Sequence, residues 1–395
     1  MWRRHVSGIM AFILSLLVIG STAFADIGIE DGVSAYLIGD YETGEILEGY
    51  NVDGPVEIAS ISKLMSYLII MDHIHMNSIS MGDRIYIDED IVEVGGSSLE
   101  LEVGESFTVE ELLRAVMVVS ANDATYALAR HVAGSEESFV KIMNSKAREL
   151  GLNNSIYINS TGLPHGELQN VMSPEDIFML SKYILDSYPE TLSITTIPFI
   201  EVPGRDYRKE NTNPLLDKMV GIDGLKTGFT DRAGHCLVAT LKDEPSQMDE
   251  AFRLIGIIMG AGSEEERGEM GEKLMLYGMD NYHKKIFTDI DKQVDMVSIP
   301  KSKDGMVEVY PTRDYSRVIK YEDDVEMDIL IDTGIYPPLK EGDIVGKLII
   351  SINGEAQEEI DLMVNRDIKR QGPFNWMIRK IGDMLFRFVR SVKSD

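Results

Sequence analysis

One cysteine in 395 residues, in a chain that opens on an export signal, narrows what this sequence can fold into. Arg3 and Arg4 precede the apolar stretch Val6 to Ile19, and Ala23-Phe24-Ala25 offers a small-x-small cleavage site before Asp26. That pattern reads as a secretory signal peptide over residues 1–25, its apolar run short for a permanent span. Left uncleaved it would be an N-terminal anchor, and either way the rest of the chain works outside the cytoplasm. Exported folds often rely on disulfides, and with Cys236 alone none can form within the chain. The fold must therefore hold by its core. Cys236 itself sits in the strand-like run His235-Cys236-Leu237-Val238-Ala239 and reads as a buried structural thiol. With 44% hydrophobic residues a chain of this length has enough apolar surface for two or three domains.

Charge is unevenly spread. The net charge is −28, but residues 366–395 carry +5 and residues 26–365 carry −35. A body that acidic repels nucleic acid and anionic membrane alike, which excludes nucleic acid as a partner and sets the basic tail apart. In the tail, Phe374, Met377, Ile378, Ile381, Leu385, Phe388 and Val392 recur at helical spacing, with Arg379, Asp383, Arg387 and Arg390 largely off that stripe. The segment is too charged to span a bilayer and matches an amphipathic helix lying on a membrane surface. The plainer alternative is a helix packed on its own protein.

Between these ends the chain alternates strand and helix signals. Val33 to Ile38 and Glu45-Ile46-Leu47 flank a turn at Asp40–Gly44, a strand–turn–strand pattern. Short strand-like pieces follow at Arg84–Ile87 and Leu99–Val103. Thr108 and Glu111 have capping-box spacing before a helical run over Leu112–Val119. Further helical runs fall at 124–132, 136–150 and 174–186, and strand signals return at 197–202. Leu225–Thr230 and Cys236–Leu241 enclose the turn Asp231-Arg232-Ala233-Gly234 and read as a β-hairpin. A buried strand over Leu254–Met259 and a helix over Glu264–Tyr277 close this part. The order predicts an α/β domain over 26–282, an antiparallel sheet flanked by helices with an inserted helical lobe. Short strands broken by turns predict a small all-β domain over 283–365, before the basic tail of 366–395.

Three short motifs carry chemistry. Ser60 and Lys63 form Ser-x-x-Lys at the head of an apolar run. On a helix, i and i+3 share a face, so Lys63 stands within reach of the Ser60 hydroxyl, and the helix start favours negative charge there. Ser120-Ala121-Asn122 lies between two helical runs, as a short loop into a cleft would. Lys226-Thr227-Gly228 begins the hairpin strand. A serine nucleophile needs a base, and lysine at its usual pKa of about 10.4 is protonated. Burial and a second cation both lower it, and Lys226 is the available cation. Ser120 can relay a proton to a leaving amine, and Asn122 can hold Lys63 and a substrate amide together. Lys226 and Thr227 suit a substrate carboxylate, while Gly228 lets a substrate backbone approach the strand edge. The N–H groups of Ser60 and Phe229 would form the oxyanion hole.

In that order, the three motifs are the signature of penicillin-recognising serine acyl-transferases. The chain resembles the low-molecular-weight penicillin-binding proteins of the serine D-Ala-D-Ala carboxypeptidase family, in which Gly221 to Gly234 is similar to an extended signature. Ser160-Thr161-Gly162-Leu163, Asn211 to Leu216 and Arg253-Leu254-Ile255-Gly256 also resemble family segments. The resemblance is close over 26–282 and looser beyond. It implies removal of the terminal D-Ala from peptidoglycan pentapeptide stems, in wall or spore cortex, through an acyl-enzyme that water resolves. It also implies covalent inhibition by β-lactams, no cofactor, and a place at the outer face of the cytoplasmic membrane. Arg253 would lie near the substrate carboxylate. Two departures stand out: Thr212, where some family members carry Arg, and Phe229, where some carry His.

The alternatives are a DD-endopeptidase with the same machinery, a β-lactamase, and an idle peptidoglycan-binding scaffold. Glu149-Leu150-Gly151-Leu152-Asn153 matches a class A lactamase pattern literally, but reads as a helix end with Gly151 as its stop. An idle scaffold would be expected to lack one of the six catalytic-type residues. No Gly-x-Ser-x-Gly occurs, and His73 and His75, two apart, make a poor metal pair on a helix. No metal is expected.

Overall fold

The structure is a computed structural model that describes residues 26–243 and 250–372. The signal peptide and the amphipathic segment of 374–392 lie outside the described residues. Five strands make the central sheet, ordered Ile46–Tyr50, Ala35–Asp40, Phe252–Ala261, Gly234–Asp243 and Ile222–Thr230. Every neighbouring pair is antiparallel. Strand alternation feeds two cores, because successive side chains point to opposite faces. Ala35, Leu37, Cys236, Val238, Ile255 and Ile257 pack toward the helical lobe. Tyr36, Ile38, Leu237, Ala239, Leu254 and Ile258 pack toward the helix Glu264–Asn281.

The lobe comprises Lys63–His75, Val109–Val118, Asn122–Ala133, Glu136–Glu149 and Pro174–Ser187. Its central helix, Lys63–His75, is buried from Lys63 through Met71. The expected capping box forms: Glu111 N donates to Thr108 Oγ1 at 3.1 Å and Thr108 N to Glu111 Oε2 at 2.7 Å. Two boundaries differ from the sequence reading. The helix placed at 124–132 starts at Asn122, so Asn122 begins a helix rather than sitting in a loop. Leu99–Val103 is not a strand. Leu99 and Leu101 are buried, as the alternation suggested, but the buried Asp123 carboxylate accepts from both backbone N–H groups, at 3.0 and 3.2 Å. With those donors taken by a side chain, the segment runs as an irregular loop.

From residue 282 to 372 the secondary structure among the described residues is all β. Tyr282–Thr288 pairs with Tyr315–Lys320, and a second sheet runs Asp295–Ser298, Met306–Pro311, Glu355–Met363, Ile344–Ile352 and Val325–Ile331. Val307, Val309, Leu348, Ile350, Ile360 and Leu362 form its core. Bridges Leu339–Ile368 and Ser302–Arg370 join the first residues of the segment expected as tail, 366–370, to this domain. The β domain meets the central sheet at its edge strand. Arg317 Nε donates to Glu45 Oε2 at 2.8 Å. Glu48, 2% exposed, accepts from Tyr282 Oη at 2.8 Å and pairs with Lys320 Nζ at 2.7 Å.

A buried carboxylate of the catalytic domain that is bonded by two residues of the β domain should couple them. Replacing Glu48→Gln removes the charge that Lys320 and Tyr282 were arranged around, and should lower the unfolding free energy by ~1–3 kcal/mol. Urea denaturation of the two proteins reads this, and coincident curves would contradict it.

Candidate active site

The turn that carries Ser60 is held in an uncommon backbone shape. Ala59 and Ser120 both have positive φ, +45° and +61°, a region that costs non-glycine residues ~1–3 kcal/mol each. Ser60 lies in the 3-10 turn Ala59–Ser62, and the α-helix starts at Lys63. Two glycines close around the turn. A Cβ on Gly228 would lie 3.0 Å from Ile58 O and from Ser60 N, and one on Gly162 would lie 1.9 Å from Ala59 O. Gly162, at φ +85°, has no room for any side chain. The hairpin strand and the Ser160–Leu163 segment thus press directly on the nucleophile's backbone.

Lys63 is fully buried, and three oxygens lie within hydrogen-bond distance of its amine: Ser60 Oγ at 2.8 Å, Asn122 Oδ1 at 2.6 Å and Thr161 O at 2.7 Å. Burial holds its pKa well below the ordinary lysine range, with the Lys226 cation adding to the effect; Asp123 pulls the other way and does not win. A neutral amine with a lone pair beside a hydroxyl is a general base. Asn122 is itself anchored, its Nδ2 donating to Gly95 O at 2.8 Å and its N to Ser97 O at 2.7 Å. Ser120 Oγ, also buried, has no hydrogen-bond partner among the described residues.

These groups face a cleft of about 310 Å³ lined by Ser60, Ser120, Asn122, Thr227, Gly228 and Phe229, with Thr212, His235 and Arg267 completing one wall. Phe229 is half exposed, its ring stacked on His235 at 4.2 Å. Two sequence expectations need correction. Lys226 does not line the cleft: it is buried behind the wall, its amine donating to Thr227 O at 2.9 Å. Burial and the nearby Arg267 guanidinium push its pKa down to about 7. Arg253 is not at the cleft either. It grips Asp223, Nη1 to Oδ1 at 2.7 Å and Nη2 to Oδ2 at 2.8 Å, farther along the same strand. A bidentate carboxylate satisfies that guanidinium in place.

The cation at the cleft wall is Arg267, which the sequence reading missed. It is 4% exposed, touches Glu264 at 3.0 Å and Thr212 O at 3.4 Å, and leaves Nε without a partner among the described residues. Thr212 and Thr227 join through their hydroxyls at 2.7 Å. Arg267 brings its guanidinium to the wall it shares with Thr212 from the helix Glu264–Asn281. One signal was legible: Arg267 is a lone cation directly after Glu264-Glu265-Glu266 in a helix's first turn, where the dipole disfavours positive charge. Glu149 takes no part in the site. It is exposed at a helix end, ion-paired to Lys146 at 3.3 Å, with Gly151 just beyond at φ +73°. Among the described residues no cluster could hold a metal ion.

Comparison with known proteins places this geometry in context. Residues 29–263 match the D-alanyl-D-alanine carboxypeptidase family. The chain is 32% identical to the D-alanyl-D-alanine carboxypeptidase DacF of Bacillus subtilis, over 89% of both sequences. Its fold is similar to the crystal structure of the D-alanyl-D-alanine carboxypeptidase DacD from Francisella tularensis (TM-score 0.68, 25% identity, 86% of this chain and 94% of that one). It is also similar to a Listeria monocytogenes penicillin-binding protein in its ampicillin-bound form (TM-score 0.57, 32% identity, 63% of this chain and 97% of that one).

A buried lysine that deprotonates near pH 7 leaves a thermodynamic trace. Folded Lys226 loses its proton at about 7 and an unfolded lysine at about 10.4. Between those values the unfolded chain binds more protons, so this residue makes stability rise with pH. The unfolding free energy of wild type minus that of Lys226→Met should therefore climb from pH ~7 to ~10. A flat difference would contradict the burial of Lys226 as an easily neutralised amine.

Proposed function

The chain belongs to the D-alanyl-D-alanine carboxypeptidase family and is a serine-type member of it, and from that premise we propose how its cleft divides the work. Ser60 Oγ attacks the carbonyl of the penultimate D-alanine of a peptidoglycan stem while Lys63 takes its proton. The developing oxyanion lies between the N–H groups of Ser60 and Phe229. The peptide C–N bond breaks, the acyl group stays on Ser60 as an ester, and D-alanine leaves with a proton relayed by Ser120. Water then hydrolyses the ester and restores the hydroxyl. The observation that carries this reading is the 2.8 Å contact between the buried Lys63 amine and Ser60 Oγ.

Substrate selection falls to the opposite wall. A C-terminal carboxylate suits Arg267 together with the Thr212 and Thr227 hydroxyls, and the spare Nε of Arg267 supports that assignment. Lys226 acts from behind, through its charge on Lys63. Asn122 holds the Lys63 amine through its oxygen while the rest of its amide faces the cleft loop. A β-lactam would acylate Ser60 by the same steps. Export would follow from the segment at 1–25, and residues 374–392 would lie as an interfacial helix; among the described residues no helix is long and apolar enough to cross a membrane.

Release of free D-alanine from diacyl-Lys-D-Ala-D-Ala tests the division. Ser60→Ala should abolish it. Arg267→Ala should raise KM by ~10–100-fold with a smaller fall in kcat, since losing one charged hydrogen-bond donor costs ~1.5–3 kcal/mol of binding. The same substrate amidated at its C-terminus should be insensitive to Arg267→Ala. An equal loss on both substrates would remove Arg267 from carboxylate recognition.

A further inference from the structure

Acids outnumber bases by 35 over residues 26–365, yet unpaired cations gather at one end of the β domain. Three segments meet there through backbone bonds: Lys303 N donates to Lys369 O at 2.9 Å, Gln371 N to Lys301 O at 2.8 Å, and Leu339 N to Ile368 O at 3.0 Å. Ser302 is buried between them, while Lys301, Lys303, Lys369 and Arg370 are all exposed. Among the described residues none of these four has a carboxylate within ion-pair distance. The neighbouring acids are occupied or offset. Asp304 pairs with Arg366 at 2.8 Å, Asp343 accepts from Lys340 N at 2.8 Å, and Asp367 accepts from Glu341 N at 3.2 Å. Glu341 is adjacent to the exposed Lys340. Lys301 Nζ lies 4.4 Å from the centre of the Tyr336 ring, itself half exposed.

This end lies opposite the catalytic domain. The hairpin Ile344–Ile352 and Glu355–Met363 runs the length of the β domain. At one end, Ile352, Asn353 and Gln357 border the junction with Glu45, Tyr282 and Arg317. At the other, Ile344 pairs with Met363 and the chain passes through Val364 to Ile368. Nine residues at ~3.3 Å each separate the two ends by about 30 Å. From the cationic end the chain continues into residues 373–395, which hold Arg379, Lys380, Arg387, Arg390 and Lys393 against two acids.

We propose that the end of the β domain formed by Lys301, Lys303, Tyr336, Lys369 and Arg370 rests on anionic lipid headgroups, with the catalytic cleft held on the far side. The proposal rests on the reading of 374–392 as an interfacial helix, which brings this end to the bilayer. An anionic surface repels the acidic body, so this cationic face approaches it at lower electrostatic cost. A tyrosine beside lysines suits the headgroup layer, where aromatic residues with polar tips collect. Each cation near such a surface strengthens partitioning by roughly fivefold. The folded domain thereby adds a second contact to the tail's own and fixes which way the molecule stands.

The test uses the full mature chain with vesicles of phosphatidylcholine, with and without phosphatidylglycerol. The variant Lys301→Glu/Lys303→Glu/Lys369→Glu/Arg370→Glu should release D-alanine as wild type does and bind neutral vesicles equally. On anionic vesicles its affinity should fall by roughly 100-fold or more. Should the fourfold variant fold poorly, Lys301→Gln/Lys369→Gln should still lose roughly 25-fold. Unchanged affinity on anionic vesicles would overturn the headgroup contact and leave the tail anchor standing. Wild type that binds neither vesicle would overturn both. A loss seen only with a purified phosphate-bearing wall polymer would assign the patch to that polymer and overturn the lipid contact.

Discussion

Everything in the catalytic domain depends on taking one lysine amine out of water. A charged ammonium with no carboxylate beside it is costly to bury, so the group resolves the conflict by giving up its proton. Lys63 can be that lysine because it opens a helix buried from Lys63 through Met71, about two and a half turns. Three oxygens surround its amine, from Ser60, Asn122 and Thr161, and none of them is a carboxylate that would stabilise the charged form. Asp123, the acid nearest in effect, spends its oxygens on the Leu99 and Leu101 N–H groups and the Ser98 hydroxyl. That bonding also steadies the loop whose Gly95 and Ser97 carbonyls anchor Asn122. One carboxylate therefore organises the cleft's roof, while burial and Lys226 keep the base neutral.

What the sequence made legible follows from how local each signal is. The i, i+3 contact of Ser60 and Lys63, the Thr108–Glu111 capping box and the hairpin around Asp231–Gly234 are set by residues a few positions apart, and all three form, although Ser60 sits in a 3-10 turn and the α-helix begins only at Lys63. The charge of Lys226 was foreseen and its position was not: strand alternation tells which face a side chain takes, not whether a neighbouring element covers it. Arg253 and Arg267 illustrate the same limit. One lies on a strand of the sheet and the other on the helix packed against it, and only the fold shows that Asp223 claims one while the other is left at the cleft. Leu99–Val103 alternates like a strand, but no strand lies alongside, and a side chain 22 residues or more away takes its donors.

The second domain follows another logic. Its polar contacts with the first gather at one edge strand, where Glu45 and Glu48 meet Arg317, Lys320 and Tyr282, while Val318 and Tyr282 pack into the core beneath the central sheet. Paired charges at one end and unpaired cations at the other give the domain a polarity that matches the division between acidic body and basic tail. The long hairpin Ile344–Ile352 and Glu355–Met363 sets the distance between the junction and the cationic end.

The central claim is that Lys63 is neutral when it meets the Ser60 hydroxyl, and the most direct measurement is the pH dependence of Ser60 acylation by a penicillin, followed as covalent adduct in a single turnover. With Lys63 depressed by burial and by Lys226, the rate should rise along an acid limb far below the ordinary lysine pKa of about 10.4. In Lys226→Gln the limb should move to higher pH, because a cation has been removed from beside the base. A wild-type rate that climbs only as the pH approaches 10 would mean that Lys63 is an ordinary ammonium, and the account of this site would fail.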